Sequence, residues 1–234
     1  MRHLKIYIIG IIILTPGIIH SQIKRSHIGI ECSPSLISLR GNEVLTKYNH
    51  LTIGYTMGIC FQYNLNEIIA LRTNISYERK GSLAKFSIRD TLANQTSEIS
   101  TRNNFEYLTA PILIRLTFGK KIKYFFNAGP YFGYLLKQTF VTKGKNIPTS
   151  RIDNTFRDKR FDTGLSMGVG FYKPFRTNGA FTFEIRNNLG LYNVSEVLVI
   201  NNGTIKTNSF NILFGYVNTI GKKYVKEKRA KNHR

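Results

Sequence analysis

Apolar and polar positions alternate along residues 105–138, on both sides of a charged turn at 119–121. Before the turn, one parity of positions is continuously apolar, and the other carries Arg115 together with hydroxyl side chains. After the turn the alternation resumes, with aromatic residues on one parity and asparagine, glycine and tyrosine on the other. Side chains along a β-strand point alternately to opposite faces, so the pattern predicts two strands that share one oily face. Such a wall is typical of a transmembrane β-barrel with lipid outside and a tight polar interior.

The same two-faced alternation recurs in eight segments, and no segment with a convincing helical period competes with them. The predicted strands are 27–38, 51–63, 67–79, 105–118, 122–138, 160–173, 180–194 and 207–220. Short connections alternate with long ones, as expected for an up-and-down barrel with short periplasmic turns and long outer loops. The polar connections 80–104 and 139–159 are predicted to be exposed, mobile loops. An even number of strands places both chain ends on the periplasmic side.

Alternation alone does not decide which face meets lipid, because a soluble lipocalin-like barrel also alternates, with its apolar face inward. Two features favour apolar side chains outside. The bulky apolar side chains total roughly forty, far more than the narrow interior of an eight-stranded barrel holds. The opposite parity is rich in glycine, which suits a crowded interior better than a solvated strand face. Its glycines are Gly54, Gly58, Gly129, Gly133, Gly164, Gly168, Gly170, Gly190 and Gly215. The sequence therefore predicts an all-β fold, an eight-stranded antiparallel up-and-down transmembrane β-barrel.

The inward parity also collects charged residues of both signs. These residues are Glu31, Arg72, Glu78, Arg115, Asp162, Glu184 and Arg186, with Lys137 as a further candidate. Isolated charges in a narrow interior would be costly, so near-equal numbers of both signs predict ion pairs. This interior polar network has two interpretations: a plug that closes the lumen with its own side chains, or a path for protons or small solutes.

The first 21 residues have the organisation of a secretory signal peptide. A basic start is followed by an apolar run at 6–14 that Pro16 and Gly17 end, and Ser21 offers a small residue for cleavage. The run is too short for a comfortable spanning helix, although an uncleaved N-terminal anchor stays an alternative. The predicted organisation is a signal peptide at 1–21, an outer-membrane barrel at 22–220 and a basic tail at 221–234. The predicted location is the outer membrane of a Gram-negative bacterium.

The charge balance is strongly basic, with 34 Lys and Arg residues against 13 Asp and Glu, a formal net charge of +21. Such an excess of positive charge normally suggests that a protein binds nucleic acid. The lysines, however, are almost absent from the middles of the alternating segments and gather in turns, loops and the tail. This distribution predicts membrane-flanking charges that meet anionic head groups. Outer-membrane lipids are therefore the expected partners, and nucleic acid is not.

Few residues offer catalytic or metal chemistry. His27, His50 and His233 are far apart, and no cysteine or carboxylate completes a metal-ligand spacing. Cys32 and Cys60 fall on opposite parities, which argues against a disulfide. The sequence therefore predicts no metal, no cofactor and no catalytic residue.

Residues 164–168 match the letters of the Gly-x-Ser-x-Gly nucleophile motif. That motif needs a strand that turns into a helix, whereas the alternation here runs straight on to Phe171. We therefore expect a non-enzymatic barrel with a side-chain-plugged lumen that serves envelope structure or binding. Two other functions stay open: a barrel enzyme that acts on lipid or peptide at the outer rim, and a small pore.

Several motifs are similar to those of one family of barrels. They are 107–113 (Tyr-Leu-Thr-Ala-Pro-Ile-Leu), 127–136 (Asn-Ala-Gly-Pro-Tyr-Phe-Gly-Tyr-Leu-Leu), 162–164 (Asp-Thr-Gly), 184–186 (Glu-Ile-Arg) and 190–194 (Gly-Leu-Tyr-Asn-Val). Across nearly the whole mature chain the sequence resembles the PorT-like family of outer-membrane β-barrel proteins. A founding member is associated with export of proteins across the outer membrane. The resemblance therefore implies a secretion-associated role, with a periplasmic or secretion-machinery protein as candidate partner, and it transfers no catalytic residues.

The chain departs from many outer-membrane barrels after Ile220. Many such barrels end on an aromatic residue that the assembly machinery reads, whereas here about fourteen residues follow the last predicted strand, seven of them Lys or Arg. The tail is therefore a candidate contact for a periplasmic partner. The barrel itself is expected to be a monomer.

Overall fold

In the computed structural model, the described residues are 26–90, 95–144, 147–175, 178–199 and 202–220. The predicted signal peptide at 1–21 and the basic tail at 221–234 lie outside the described residues. Within these ranges, none of the helices combines the length and the apolar character needed to cross a membrane.

Most described residues lie in β-strands, as their β-branched and aromatic content favours. The elements in chain order are β1 (Ser26–Arg40), α1 (Glu43–Tyr48), β2 (Asn49–His50), β3 (Thr52–Asn64), β4 (Ile69–Asp90), β5 (Gln95–Phe118), β6 (Lys123–Gly144), β7 (Ile147–Asp153), a single 3-10 turn (Thr155–Arg157), β8 (Phe161–Pro174), β9 (Gly179–Gly190) and β10 (Lys206–Ile220).

Eight of these strands close into a ring in which every neighbour pair is antiparallel. The order around the ring is β1, β3, β4, β5, β6, β8, β9 and β10. The ring closes between β1 and β10, where Ser26 lies opposite Ile220 and Arg40 lies opposite Lys206. The short strands β2 and β7 add to β4 and β6, respectively. The prediction of an eight-stranded antiparallel up-and-down barrel is confirmed.

The two ends of the ring differ in how the strands are connected. Short turns join β3 to β4, β5 to β6 and β8 to β9 at the end where β1 begins and β10 ends, here called the short-turn end. In the first turn, Asn66 Oδ1 accepts the backbone N–H groups of Ile68 and Ile69, at 2.8 and 2.7 Å. In the second turn, Gly119 has φ +100°, a conformation that favours glycine. The opposite end, where β4, β5 and β6 extend furthest, is the hairpin end.

The structure corrects the two long loops predicted at 80–104 and 139–159. β4 and β5 continue through the first segment as a paired hairpin, in which Lys80 lies opposite Phe105. β6 continues to Gly144 and pairs there with β7. These extensions lie beyond the oily belt, where a strand needs no apolar face. Backbone hydrogen bonds can pair such strands without the two-faced alternation that the sequence prediction required.

The outward face of the ring is oily and the inward face is not. Ile112 and Phe132 point outward and are 47% and 49% exposed, whereas their neighbours Leu113 and Tyr131 are fully buried. Moving a large apolar side chain from water into hydrocarbon is worth roughly 1.5–3 kcal/mol. A belt of such residues around the ring therefore stabilises the barrel only when lipid surrounds it.

The interior has little free space at its glycines. A Cβ added at Gly168 would collide with the carboxylate of Glu184, and one added at Gly164 would collide with the backbone of Leu189 and the ring of Tyr131. Glycine on the inward parity therefore makes room for long charged and aromatic side chains from the facing strands.

Candidate functional site

The part of the lumen nearer the short-turn end holds two carboxylates and three guanidinium groups, here called the arginine cluster. Its members are Glu31, Arg72, Arg115, Glu184 and Arg186. Arg72 Nη2 donates to Glu31 Oε2 at 2.6 Å. Arg186 donates through Nε and Nη2 to the two carboxylate oxygens of Glu184, at 2.7 and 2.8 Å. Its Nη1 also donates to Glu31 Oε1 at 3.4 Å, so this one guanidinium joins both carboxylates.

Arg115 is the third cation of the arginine cluster and relies mainly on neutral partners. Its Nη2 lies 3.5 Å from Glu184 Oε2, while its Nε donates to Asn127 Oδ1 at 2.8 Å and its Nη1 to Gln62 Oε1 at 2.9 Å. Its guanidinium carbon lies 3.6 Å from the centre of the Phe125 ring. Amide oxygens and an aromatic face therefore stabilise a positive charge for which this cluster has no third carboxylate.

The part of the lumen nearer the hairpin end holds a second group, the lysine cluster, formed by Glu78, Lys80, Tyr131, Asp162 and Thr207. Lys80 Nζ donates to Asp162 Oδ2 at 2.9 Å and lies 3.8 Å from Glu78 Oε2. Tyr131 Oη and Thr207 Oγ1 also donate to Asp162 Oδ2, at 3.1 and 2.7 Å. Three donors thus converge on a single carboxylate oxygen, which holds the lysine cluster together.

Glu78 is held by polar neighbours as well as by Lys80. Asn188 Nδ2 lies 3.2 and 3.3 Å from its two carboxylate oxygens, and Ser209 Oγ also donates to it. The amide of Asn188 in turn accepts a hydrogen bond from Ser166 Oγ at 2.8 Å. Neutral side chains therefore surround the charged groups, as buried charges require.

The structure brings all seven interior residues named from the sequence into these two clusters, and each is at most 5% exposed. Lys80 is an eighth buried charge that the sequence prediction missed. The carboxylates are Glu31, Glu78, Asp162 and Glu184, and the cations are Arg72, Lys80, Arg115 and Arg186. The two signs are equal in number, so the described lumen charges sum to zero.

Lys137 is the wrong candidate for the interior. Its side chain is 53% exposed and its Nζ lies 3.7 Å from Asp153 Oδ2 outside the ring. A register shift between Glu106 and Tyr107 breaks the strict alternation on β6 at this level, so parity counted from the middle of the strand fails there. The sequence pattern misses Lys80 because the two-faced alternation predicts a strand only to residue 79 and a loop from residue 80. Extending the inward parity of β4 from Glu78 by two residues would have found it.

Apolar clusters pack next to the charges at both ends of the lumen. At the hairpin end, Leu39, Phe105, Tyr107 and Leu135 pack together with Ile205. At the short-turn end, Cys60, Ala180 and Val217 pack together with Tyr172. Buried apolar side chains therefore share the lumen with the two charged clusters.

A basic hollow lies outside the ring, on the outward face of the extended strands β4 to β7. It has a volume of about 600 Å³ and is here called the basic groove. The charged residues that line it are Arg79, Arg102, Lys137, Lys143 and Arg151, with Glu106 and Asp153. Two ion pairs lie within it, Arg79 with Glu106 at 3.4 Å and Lys137 with Asp153 at 3.7 Å. Thr155 also donates to Asp153 through its N–H and Oγ, and these hydrogen bonds lower the pKa of the Asp153 carboxyl.

Two rim segments at the hairpin end, 157–159 and 194–196, are joined through their backbones. Asp158 forms a bridge with Ser195, and Lys159 N–H donates to Val194 O at 2.7 Å. Burial raises the pKa of the Asp158 carboxyl from 3.8 to about 7, although the nearby Arg157 opposes this shift. The charge of this carboxylate therefore changes near neutral pH, at the mouth of the barrel.

The described residues contain no group of histidine, cysteine and carboxylate side chains that could hold a metal ion. Cys32 is exposed and Cys60 is buried, and both are free, as their opposite parities predict. Ser166, the central residue of the nucleophile-like motif, lies inside β8 and donates to the amide oxygen of Asn188. An amide oxygen is no general base, so this serine lacks the activation that the motif implies.

Comparison with known proteins gives one family match and several similar folds. Residues 20–196 match the family described as outer membrane protein beta-barrel domain. No curated protein matches the sequence. Among solved structures, Neisserial surface protein A is 13% identical, with 83% of this chain and 97% of that chain covered and a TM-score of 0.43. OprG from Pseudomonas aeruginosa is 10% identical, with 85% and 99% covered and a TM-score of 0.39. Ail from Yersinia pestis is 11% identical, with 82% and 99% covered and a TM-score of 0.38. Similarity at this level carries no information about ligands or partners.

Proposed function

Because the chain belongs to the family of outer membrane protein β-barrel domains and resides in the outer membrane of a Gram-negative bacterium, we propose that it works there as a closed, non-enzymatic barrel. In this role the barrel is a rigid membrane anchor that presents its rim and its short-turn end to other envelope components. It does not conduct solutes through its lumen.

The filled lumen is the observation that supports a closed barrel. Four carboxylates and four cations pair across the lumen, and apolar clusters lie at both ends. A water-filled path would have to separate these pairs or displace the apolar residues. Breaking one buried pair typically costs about 3–5 kcal/mol, so a path through several pairs is strongly disfavoured.

Planar-bilayer recording tests the closed state directly. The purified full-length barrel, inserted into a planar bilayer, is expected to produce no stepwise currents. Heat-modifiable migration of the same preparation on a gel serves as the control that folded protein was used. Regular current steps from folded protein would replace the closed barrel with the small pore.

Orientation follows from the general plan of outer-membrane barrels, in which short turns face the periplasm and long connections face outward. The short-turn end, where β1 begins and β10 ends, then faces the periplasm, and the extended hairpins face the outside. On this plan the basic tail at 221–234 lies on the periplasmic side, where a protein partner would meet it. Protease added to intact cells is expected to cleave within 139–159 and to spare the turn at 119–121.

The secretion-associated role and membership of the PorT-like family belong to the same proposal. They are supported by the motifs at 107–113 and 127–136, and by the basic composition of the tail at 221–234, which makes it a candidate contact for a periplasmic partner. Deletion of the gene in its own bacterium is expected to deplete surface-exported proteins while the membrane stays intact. A second strain that lacks only 221–234 separates the tail's contribution from that of the barrel. Normal surface export in both strains would reject this role.

Removal of a signal peptide at 1–21 is part of the proposed route to the outer membrane. Terminal sequencing of the protein from purified outer membrane is expected to begin at Gln22. A mature protein that begins at Met1 would favour the uncleaved anchor.

A further inference from the structure

The basic groove begins where the oily belt ends. On the outward face of β5, Ile112 and Leu108 are apolar and exposed. Glu106 and Arg102 follow on the same face towards the hairpin end. On β6, Leu136 is the last exposed apolar residue before Lys137. The hydrocarbon core of a bilayer gives way to its polar head groups at such a boundary. The groove therefore lies at the depth of lipid head groups, on the side of the barrel that faces lipid.

The charges of the groove are incompletely balanced. Five cations face two carboxylates, and each carboxylate already has an ion pair with a cation of the groove. Within the described chain, Arg102, Lys143 and Arg151 form no ion pair with a carboxylate. Arg102 Nη2 instead donates a short hydrogen bond to the backbone oxygen of Ile53. A net excess of three positive charges in one hollow would be relieved by an external anion.

Two arginines of the groove retain unused donors. Arg79 Nε and Arg102 Nε are both buried without a hydrogen-bond partner. Burial lowers the pKa of Arg102, and repulsion by the neighbouring Arg79 guanidinium lowers it further. Buried donors without partners are costly, and guanidinium groups match the oxygens of phosphate in a forked geometry.

We propose that the basic groove binds the phosphate group of a phosphate-bearing lipid of the outer leaflet. The phosphate lies among Arg79, Arg102 and Arg151, and the acyl chains lie against the exposed side chains of Leu108 and Leu136. A volume of about 600 Å³ accommodates a head group but no macromolecule. A lipid is favoured over free phosphate because the groove opens onto the apolar belt. The inference rests on the outward orientation proposed above and does not depend on the closed lumen.

Lipid retention by the full-length barrel tests the proposal. The barrel in neutral detergent is titrated with phosphatidic acid, whose head group is a phosphate monoester, and bound lipid is counted by native mass spectrometry. Phosphatidylcholine is the neutral comparison. Each Lys or Arg near an anionic lipid adds to the free energy of binding, so the loss of two cations should weaken lipid binding by roughly tenfold or more. We expect that weakening for the double variant Arg102→Gln/Arg151→Gln.

Two matched variants separate a built site from diffuse charge. Lys47→Gln/Arg157→Gln also removes two positive charges from exposed residues near the hairpin end, but neither residue lines the groove, so it should bind as the wild type does. Glu106→Gln removes the carboxylate that competes for Arg79, so it should bind phosphatidic acid more tightly. Heat-modifiable migration of every variant verifies that the barrel is folded.

Two binding results would overturn the lipid site itself. Equal weakening by the groove variant and its matched control would mean diffuse attraction to a basic protein. Displacement of the lipid by inorganic phosphate at a concentration equal to that of the lipid would mean an ion site without lipid specificity. Current steps from the same preparation would reject the closed barrel but leave the lipid site intact, whereas protease cleavage at 119–121 in intact cells would reject the outward orientation.

Discussion

At the scale of single residues, the charges of the lumen are unequal in importance. Arg186 joins Glu31 and Glu184, whereas Arg115 contacts one carboxylate at longer range and two neutral amides. Three cations face two carboxylates in the arginine cluster, so removal of Arg115 leaves equal numbers of the two signs. Removal of Arg186 also equalises the numbers but breaks the contacts of both carboxylates at once. Geometry, more than net charge, therefore decides which substitution harms the barrel.

We predict that Arg186→Leu lowers the free energy of unfolding by about 3–5 kcal/mol, because it leaves two buried carboxylates short of donors. Arg115→Leu should lower it by less, about 1–3 kcal/mol, because Asn127 and Gln62 lose a hydrogen bond each and Glu184 loses a longer ion pair. Urea unfolding in lipid vesicles measures both values. Arg157→Leu on the exposed rim is the control and should change little. Unchanged stability in Arg115→Leu would remove support for the buried network.

Lys80 and Asp162 are expected to be coupled, because Lys80 Nζ donates directly to Asp162 Oδ2. We predict that Lys80→Met and Asp162→Asn each destabilise the barrel, and that the double variant loses less than the sum. An interaction of about 1–3 kcal/mol in this cycle would match a buried contact pair. Additive losses of stability would mean that the two groups act independently although they are in direct contact.

At the scale of elements, the hairpin formed by the end of β4 and the start of β5 is structurally separate from the ring. Its strands remain paired beyond the ring, with Lys85 opposite Ser100. The lysine cluster uses β4 only as far as Lys80, so the outer part of the hairpin holds no lumen charge. The hairpin should therefore depend on the barrel for its position more than the barrel depends on the hairpin.

We predict that the barrel folds without the outer part of this hairpin. Replacing 86–99 with Asn-Gly joins Lys85 to Ser100 through a two-residue turn that suits antiparallel strands. Heat-modifiable migration should be retained, and the urea midpoint should shift little. Loss of folding would show that the hairpin contributes to barrel assembly.

The joined rim segments are a second element whose stability depends on charge. The folded-state pKa of Asp158 is raised from 3.8 to about 7, so the protonated carboxyl is favoured in the closed rim. Stabilisation of the rim by this group is complete below about pH 4 and is lost as the pH rises to about 7.

Hydrogen exchange measures this effect. The backbone amides of Lys159 and Glu196 join the rim segments. As the pH is raised from 4 to 7, their exchange rates should increase more than the intrinsic pH dependence of amide exchange predicts. Asp158→Asn cannot ionise and should abolish the extra dependence. An identical pH profile in both proteins would contradict this role of Asp158.

At the scale of the whole molecule, the barrel is arranged with its oily side chains outside and its charges inside. The formal net charge of +21 therefore does not come from the described lumen, where four positive and four negative groups cancel. The excess lies on rims, turns and the terminal segment. This distribution leaves the lumen neutral and the surface near the head groups strongly attractive to anions.

Thiol labelling checks this arrangement, because the two cysteines point in opposite directions. We predict that a lipid-soluble maleimide modifies Cys32 in the folded barrel, and that Cys60 reacts only after boiling in detergent. Cys32→Ser and Cys60→Ser variants assign the signals. Labelling of Cys60 in folded protein would mean that the lumen is open to the reagent.

Alternation along the strands was sufficient to predict the eight-stranded barrel, the oily outer face and which charged residues share the inward parity. A two-residue period requires only local information, and an oily outer face is decided by how few bulky groups fit inside. The position of Lys137 required the structure, because the register shift on β6 leaves no mark in that period. Lys80 keeps the inward parity of Glu78, but the apolar pattern does not show that β4 continues beyond the belt.

Which charges meet was decided by tertiary structure alone. Glu31 and Arg186 are distant in sequence, and their contact exists because the ring closes between β1 and β10 and carries β9 to their side of the lumen. The basic groove has the same origin, since its cations come from four strands that converge only when the hairpins pair. Parity assigns each side chain to a face, but only strand register sets its height along the barrel axis, and electrostatic contact requires both.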